Sequence, residues 1–222
     1  MHRTTLSAHG LDRKLLTAQA FAALARDRLH AAPLAETASG GPSDFDLSPP
    51  HEPVQRPASY WPAAVLVPIV AHAEPCVLLT KRSPTLTKHA GQIAFPGGRI
   101  DATDACPLAA ALRETEEEIG LTASAVDVLG YLDSYRTGTG YVITPVVGLI
   151  EPGFALALNA REVEESFEVP LNFLLNPANH TIDERTLHGR ARQFYAIPHE
   201  GRYIWGATAG IIRNMYERLF SE

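Results

Sequence analysis

Residues 107–121 read PLAAALRETEEEIGL, and the spacing of their side chains says more than any other part of the chain. Leu108, Leu112, Thr115 and Ile119 recur at intervals of four, three and four, which makes one core-facing stripe of a helix over 107–119. Gly120 ends that helix as a left-handed cap. Glu114, Glu117 and Glu118 fall at i, i+3 and i+4, so the spacing projects three carboxylates together from a different face. Each like-charged pair costs an isolated helix roughly 0.2–0.5 kcal/mol, and negative charge near a helix C-terminus also opposes the macrodipole. A sequence that carries both penalties implies a compensating cation, and hard carboxylate oxygens suit Mg²⁺ or Mn²⁺. The plain alternative is a solvated Glu-rich face. Its neighbours tell against it: FPGG lies upstream at 95–98, and Arg113 immediately precedes Glu114.

On either side of this helix the pattern is that of strands. AAVLVPIV and CVLLTK predict two strands joined by a turn in a core that begins near Pro62, and GQIAFPGG predicts a short strand ending in a tight turn. Residues 126–134 and 141–150 read as further strands, LNFLL after Pro170 as a short helix, and RQFYAIPHEGRYIWG as a hairpin turning at His199–Gly201. A last helix over 207–220 carries Ile211, Ile212, Met215 and Leu219. Strands with interspersed helices predict an α/β fold, a mixed β-sheet packed between helices. Residues 11–30 read as an amphipathic helix with Leu16, Ala20, Phe21 and Leu24 on one stripe. Its basic start and FAALA ending loosely imitate a secretory signal, but Gln19 interrupts the apolar run. Residues 31–59, rich in Pro, Ser, Gly and acidic residues, bury too little apolar surface to offset ordering entropy and read as irregular. The expected division is therefore an N-terminal helix and irregular segment at 1–59 and one folded domain at 60–222.

The formal net charge of −6 argues against a nucleic-acid binder. It leaves room for a small anionic substrate, since a local basic patch can outweigh the global balance. Cys76 and Cys106 form neither a disulfide framework nor a CxxC site, which points to a reducing, cytoplasmic setting. No apolar run approaches the roughly 20 residues that span a bilayer, so no membrane partner is expected. Self-association into a homodimer is left open. The histidines show no HExxH pattern, and no Ser-His-Asp signature occurs. Thr137–Gly140 reads as a loop rather than a nucleotide fingerprint, because no helix follows. Trp61 and Trp205 read as core or hairpin residues rather than stacking platforms.

The string GGRIDATDACPLAAALRETEEEIGL, residues 97–121, resembles the Nudix box through Gly98, Arg113, Glu114, Glu117, Glu118, Gly120 and Leu121. It departs from the usual box in a loop one residue longer, in Asp104 as the intermediate acid, and in Thr115 at an aliphatic position. The resemblance implies a Nudix α/β/α sandwich around a mixed sheet. It also implies a metal-dependent pyrophosphohydrolase, with Glu114, Glu117 and Glu118 as metal ligands together with a backbone carbonyl at Gly97 or Gly98. Arg113 would orient the glutamates. The general base is left between Glu114 and Glu162, the latter in the acidic run REVEES. Independently of the resemblance, a divalent ion can clamp and polarise a pyrophosphate, and glycines let backbone approach it closely.

Residues 78–98, LLTKRSPTLTKHAGQIAFPGG, are similar to the extra motif of the coenzyme A pyrophosphatase branch of that family. Leu78, Leu79, Thr80, Arg82, Ser83, Gly91 and Phe95–Gly98 match, whereas Thr87 stands where the motif has an arginine. The resemblance implies coenzyme A or a thioester of it as substrate, with Arg82, Ser83, Lys88, His89 and Gly97 binding it. The alternatives are another nucleoside diphosphate derivative, such as ADP-ribose or NADH, or a non-catalytic nucleotide sensor.

Overall fold

Alternation along WPAAVLVPIV sorts one strand between two cores. Ala64, Leu66 and Val70 enter one apolar cluster, while Val67 and Ile69 enter another on the opposite side. The computed structural model describes residues 16–34, 41–47, 56–187 and 190–221. In chain order it begins with α1 (Ala18–Arg28), β1 (Trp61–Val70), β2 (Cys76–Arg82), β3 (Ile93–Ala94) and β4 (Gly97–Arg99). There follow α2 (Pro107–Ile119), β5 (Val126–Tyr131), β6 (Tyr135–Arg136), β7 (Tyr141–Ile150) and β8 (Val163–Pro170). The last elements are α3 (Leu171–Leu174), β9 (Thr181–Leu187), β10 (Arg190–His199), β11 (Arg202–Trp205) and α4 (Ala207–Phe220).

The main sheet runs β3-β2-β1-β7-β5, with β4 added to β1, β6 to β7 and β8 to β2. β1 and β7 pair in parallel from Trp61↔Tyr141 to Val70↔Ile150, and the other pairings are antiparallel, so the sheet is mixed. α2 covers one face through Ala110, Ala111 and Ile119. The other face carries Phe21 and Ala25 of α1, Leu171 and Leu174 of α3, and Ile211, Ile212, Met215 and Leu219 of α4. The result is the expected α/β/α sandwich. Each fully buried Leu or Ile contributes about 1.5–3 kcal/mol, so the β1–β7 pair anchors both cores. A second, antiparallel sheet, β9-β10-β11, leads into α4. Arg202 of β11 pairs with Glu165 of β8 and lies 4.1 Å from the Phe167 ring centroid, which ties this sheet to the main one.

Several expectations shift. α1 starts at Ala18, where the Thr17 hydroxyl caps the helix by accepting from the Ala20 N–H at 3.2 Å; residues 11–15 lie outside the described residues. On α2 the buried stripe is Ala111, Thr115 and Ile119 with Ala110, and Leu108 and Leu112 are only partly buried. The two alanines let the helix approach the sheet closely, which displaces the larger leucines to its flanks. Thr115 is tolerated inside because its hydroxyl donates to the Ala111 carbonyl at 2.6 Å. Trp61 is a correction: it is 56% exposed, with the Arg99 guanidinium 4.3 Å from its ring centroid, and is not a core residue. The run REVEES supplies the first residues of β8, and the polar strand β9 has no counterpart among the strands read from the sequence. Within the segment expected to be irregular, residues 41–47 lie along β6, with Ser43 bridged to Arg136 in parallel.

Candidate active site

Gly97 has φ +144°, and a Cβ there would sit 2.4 Å from the Ala64 carbonyl oxygen and 2.6 Å from Val65 Cα, so only glycine fits. This tight turn brings β4 against the C-terminal half of α2. The Gly97 N–H donates to Glu118 Oε2 at 3.1 Å, and Arg82 Nη1 lies 3.5 Å from Glu118 Oε1. Glu118 is only 3% exposed. Burial pushes its carboxyl up to about 7, with Glu162 and Glu114 adding to the rise while Gly97 and Arg82 oppose it. At Gly98 a Cβ would meet Glu114 Oε2 at 2.5 Å, so the Glu114 carboxylate lies where any larger residue would put its side chain. Burial also raises the Glu114 carboxyl, against the pull of Arg113.

Arg113 is the organiser of this helix. Its Nε and Nη2 form a fork on Asp104 at 3.0 and 2.9 Å, while Nη1 donates to Glu114 at 3.0 Å and to Glu117 at 3.2 Å. The Arg113 hydrogen bonds hold the Asp104 carboxyl below its usual range. Asp104, which looked like a mere variation in the loop, is therefore the counter-ion that fixes the arginine. The signal for it in the sequence is an acid in the loop ahead of the helix.

The three glutamates do not share one face. Glu118 turns inward, Glu114 is partly covered, and Glu117 stays exposed beside Arg113. Glu162 reaches the same place from another direction. The Ala157 and Asn159 N–H groups donate to the Ile119 and Glu118 carbonyls at 2.9 Å, so this loop satisfies the orphan end of α2. The Asn159 side chain then donates to Glu162 Oε1 at 3.1 Å, and the Ser83 N–H donates to the Glu162 carbonyl at 2.8 Å.

Glu114, Glu118 and Glu162 line one cleft of about 710 Å³, together with Gly97, Gly98, Arg82, Lys88 and His89. Glu117 is outside its lining. Ser83 is too: it is buried, its Oγ lies 2.8 Å from Thr85 Oγ1, and it meets the site only by its backbone hold on Glu162. His89 adopts φ +57° and lies 2.8 Å from Gln92 Oε1 through Nδ1. Arg82 Nε is buried without a hydrogen-bond partner among the described residues, while Arg82 itself lines the cleft. Across the cleft stand residues that sequence reading did not propose: Asp44, Thr137–Thr139, Arg192, Phe194 and Trp205.

The donor set fits a hard divalent cation. Carboxylate oxygens of Glu114, Glu118 and Glu162 face one space, beside a cradle at Gly98 that a Cβ would fill. Among the described residues no three carboxylate, thiol or imidazole side chains converge closely enough to enclose an ion. Each carboxylate is turned to a protein partner instead, Glu118 to Gly97 and Arg82, Glu114 to Arg113, Glu162 to Asn159.

Residues 60–187 match the family model described as the NUDIX domain. The chain is 44% identical over 161 residues to the "Uncharacterized Nudix hydrolase NudL" of Shigella flexneri serotype 5b (strain 8401), covering 72% of this chain and 84% of the relative. It is 46% identical over 153 residues to the protein of the same name from Escherichia coli (strain K12 / DH10B), covering 69% and 80%. With that from Photorhabdus laumondii it shares 40% over 175 residues, covering 79% and 94%.

Proposed function

The chain belongs to the Nudix domain family, and from that premise we propose that it is a Mg²⁺- or Mn²⁺-dependent pyrophosphatase. Its substrate is coenzyme A or a thioester of it, and its products are 4′-phosphopantetheine and adenosine 3′,5′-bisphosphate. The single observation that carries the reading is the meeting of Glu114, Glu118 and Glu162 with Arg82, Gly97 and Gly98 in one cleft. An acidic cluster alone repels a pyrophosphate; acids beside a cationic donor suit a pyrophosphate that arrives with a divalent ion.

Glu118, Glu114 and a backbone carbonyl at Gly97 or Gly98 would hold that ion, and Glu117, which stands outside the cleft lining, would join them by turning toward it. When bound, the ion would neutralise the non-bridging oxygens and polarise phosphorus. Arg82, which lines the cleft with its guanidinium already beside Glu118, binds the diphosphate. Lys88 and His89 line the same side and add donors. Glu162 is the general base: it takes the proton of the attacking water as the water oxygen bonds to phosphorus and the anhydride P–O bond breaks. Of the two candidates it suits this better, because Glu114 already answers to Arg113, whereas the Glu162 carboxylate is steered only by the Asn159 amide among the described residues. Thr87, which replaces an arginine of the branch motif, lies outside the cleft lining, while its neighbours Lys88 and His89 lie on it. The substitution therefore leaves cationic groups at the site.

The test is turnover of a panel of coenzyme A, acetyl-coenzyme A, ADP-ribose and NADH with Mg²⁺ or Mn²⁺. Coenzyme A and its thioester are expected to be cut fastest. Faster turnover of ADP-ribose would sink the substrate assignment, and tight nucleotide binding without turnover would make the protein a sensor.

A further inference from the structure

The cleft is bipartite, and only one of its walls serves the cation and the diphosphate. The other is built by β10, β11, the β6–β7 turn and the segment at 41–47, and it carries Arg192 and Asp44 beside two aromatic rings. Phe194 and Trp205 both line it, with ring centroids 5.2 Å apart and planes tilted by 56°. Arg185 sits 4.3 Å from the Trp205 centroid and 5.8 Å from that of Phe194, so both rings are held before any ligand arrives. Arg192 lines the same wall. Its Nη1 would lie 2.5 Å from a Cβ at Gly138, so the guanidinium rests on the bare backbone of the β6–β7 turn.

That turn is held by Asp44, whose carboxylate accepts from the Gly138 N–H at 2.7 Å and from the Tyr135 hydroxyl at 2.9 Å. Arg192 feels Asp44 only electrostatically and lies 5.5 Å from the Phe45 ring centroid, with no close ion pair among the described residues. Thr208, at the start of α4, donates its hydroxyl to the Ile93 carbonyl at 2.9 Å, which fixes this wall against the strand leading to Gly97. Asp44, Arg192, Phe194 and Trp205 all lie outside residues 60–187, the part that matches the family model.

We infer that this wall is the nucleoside subsite, in which Phe194 and Trp205 receive the adenine ring and Arg192 receives a phosphate carried on the ribose. The inference rests on the reading of the cleft as a site for a nucleoside diphosphate derivative, and it deepens that reading by naming what selects the nucleoside. Paired rings offer a flat heterocycle two apolar surfaces. A planar guanidinium forks onto phosphate oxygens, whereas the three carboxylates opposite repel any phosphate that comes without a cation. An elongated ligand with an anionic base-bearing end and a separate diphosphate meets both walls at once. A ligand without a ribose phosphate leaves Arg192 unused, and the wall should discriminate on that ground.

The test uses the full chain carrying Trp61→Phe, which leaves Trp205 as the one tryptophan. Its fluorescence is titrated with adenosine 3′,5′-bisphosphate, adenosine 5′-monophosphate and inorganic pyrophosphate. Both nucleotides should quench and pyrophosphate should not, and the bisphosphate should bind about tenfold or more tighter than the monophosphate. Arg192→Gln should bring that ratio near one. Phe194→Leu, which keeps apolar bulk and removes the flat ring, should weaken both nucleotides by about tenfold and leave the ratio intact. Quenching by pyrophosphate as strong as by the monophosphate, or a ratio unmoved by Arg192→Gln, would overturn the inference. Because these are binding measurements, an enzyme that discriminates the nucleotides yet leaves coenzyme A uncut defeats the catalytic reading alone. Unchanged KM for coenzyme A in both variants, with turnover intact, defeats the subsite alone.

Discussion

The carboxylate wall of the cleft lies almost wholly between Gly97 and Glu118, with Glu162 brought in by the loop that caps α2. The wall facing it draws Asp44, Gly138, Arg192 and Trp205 from four separate segments. The first stores electrostatic cost, since acids are buried near one another and held by Arg82, Arg113 and Gly97. The second stores less, because its one acid, Asp44, is raised by burial but held by the Gly138 N–H and the Tyr135 hydroxyl, and its cations rest on rings and backbone. A wall that holds repelling charges repays that cost only when a cation or a polarised substrate arrives, which suits chemistry. A relaxed, preorganised wall suits recognition. The two should therefore fail differently when altered, one in kcat and the other in KM.

The largest effect is expected at Glu118. Glu118→Gln keeps shape but removes a charge from the proposed cation seat. The loss of several kcal/mol of charge stabilisation would lower kcat by about a thousandfold or more. The melting temperature should hold or rise. Near wild-type turnover would move the catalytic centre away from this wall and end the contrast. Glu162→Gln should come next, with kcat down by about a hundredfold or more and KM little changed, as for loss of a general base. If it keeps its rate, Glu162 is not the base.

The same contrast explains what could be read from the sequence. Glu114, Glu117, Glu118 and Gly120 sit on one helix, where periodicity converts spacing into direction, so the helix and its chemistry were visible. Even there, which glutamate turns inward was not: Glu117 and Glu118 flank Glu114 on the helix surface, and only packing against β1 and β4 decides which is buried. The apolar runs of β1 and β2 marked two buried strands for the same local reason. β9 was missed because TIDERTL pairs through its backbone and buries little apolar surface that a pattern could reveal. Arg192, Phe194 and Asp44 were invisible as a group, since nothing in spacing links residue 44 to residue 192. Trp205 reads from the sequence as a core or hairpin residue; it is on that hairpin and on the cleft.

A thermodynamic test separates the walls without any substrate. With its folded carboxyl raised to about 7 from an ordinary 4.5, Glu118 holds a proton in the folded state that the unfolded chain releases. Between these values the folded state binds more protons, so this residue makes stability fall as pH rises from 4.5 to 7. The contribution, on the order of 3 kcal/mol over that window, is present in full below the unfolded value and lost above the folded one. Glu118→Gln should flatten the decline in denaturation curves of the metal-free protein, and Phe194→Leu, which changes no charge, should leave it unchanged. An equal decline in wild type and Glu118→Gln would mean that the carboxylate wall stores no such cost.

The smallest expected effect belongs to the junction between the walls. Thr208→Val keeps the buried volume but removes the hydroxyl that donates to the Ile93 carbonyl at 2.9 Å. A hydrogen bond of this kind contributes about 1 kcal/mol, which lost wholly from binding would raise KM by about fivefold. Ile93 leads directly toward Gly97, however, so the bond also braces the catalytic strand against α4. The split between the two kinetic constants therefore reports how far the walls are coupled. A rise in KM at constant kcat means that the recognition wall slackens while the carboxylates keep their geometry. A fall in kcat of similar size means that Ile93 transmits the change to Gly97 and Glu118, and the two walls then act as one unit rather than as separate devices for chemistry and recognition.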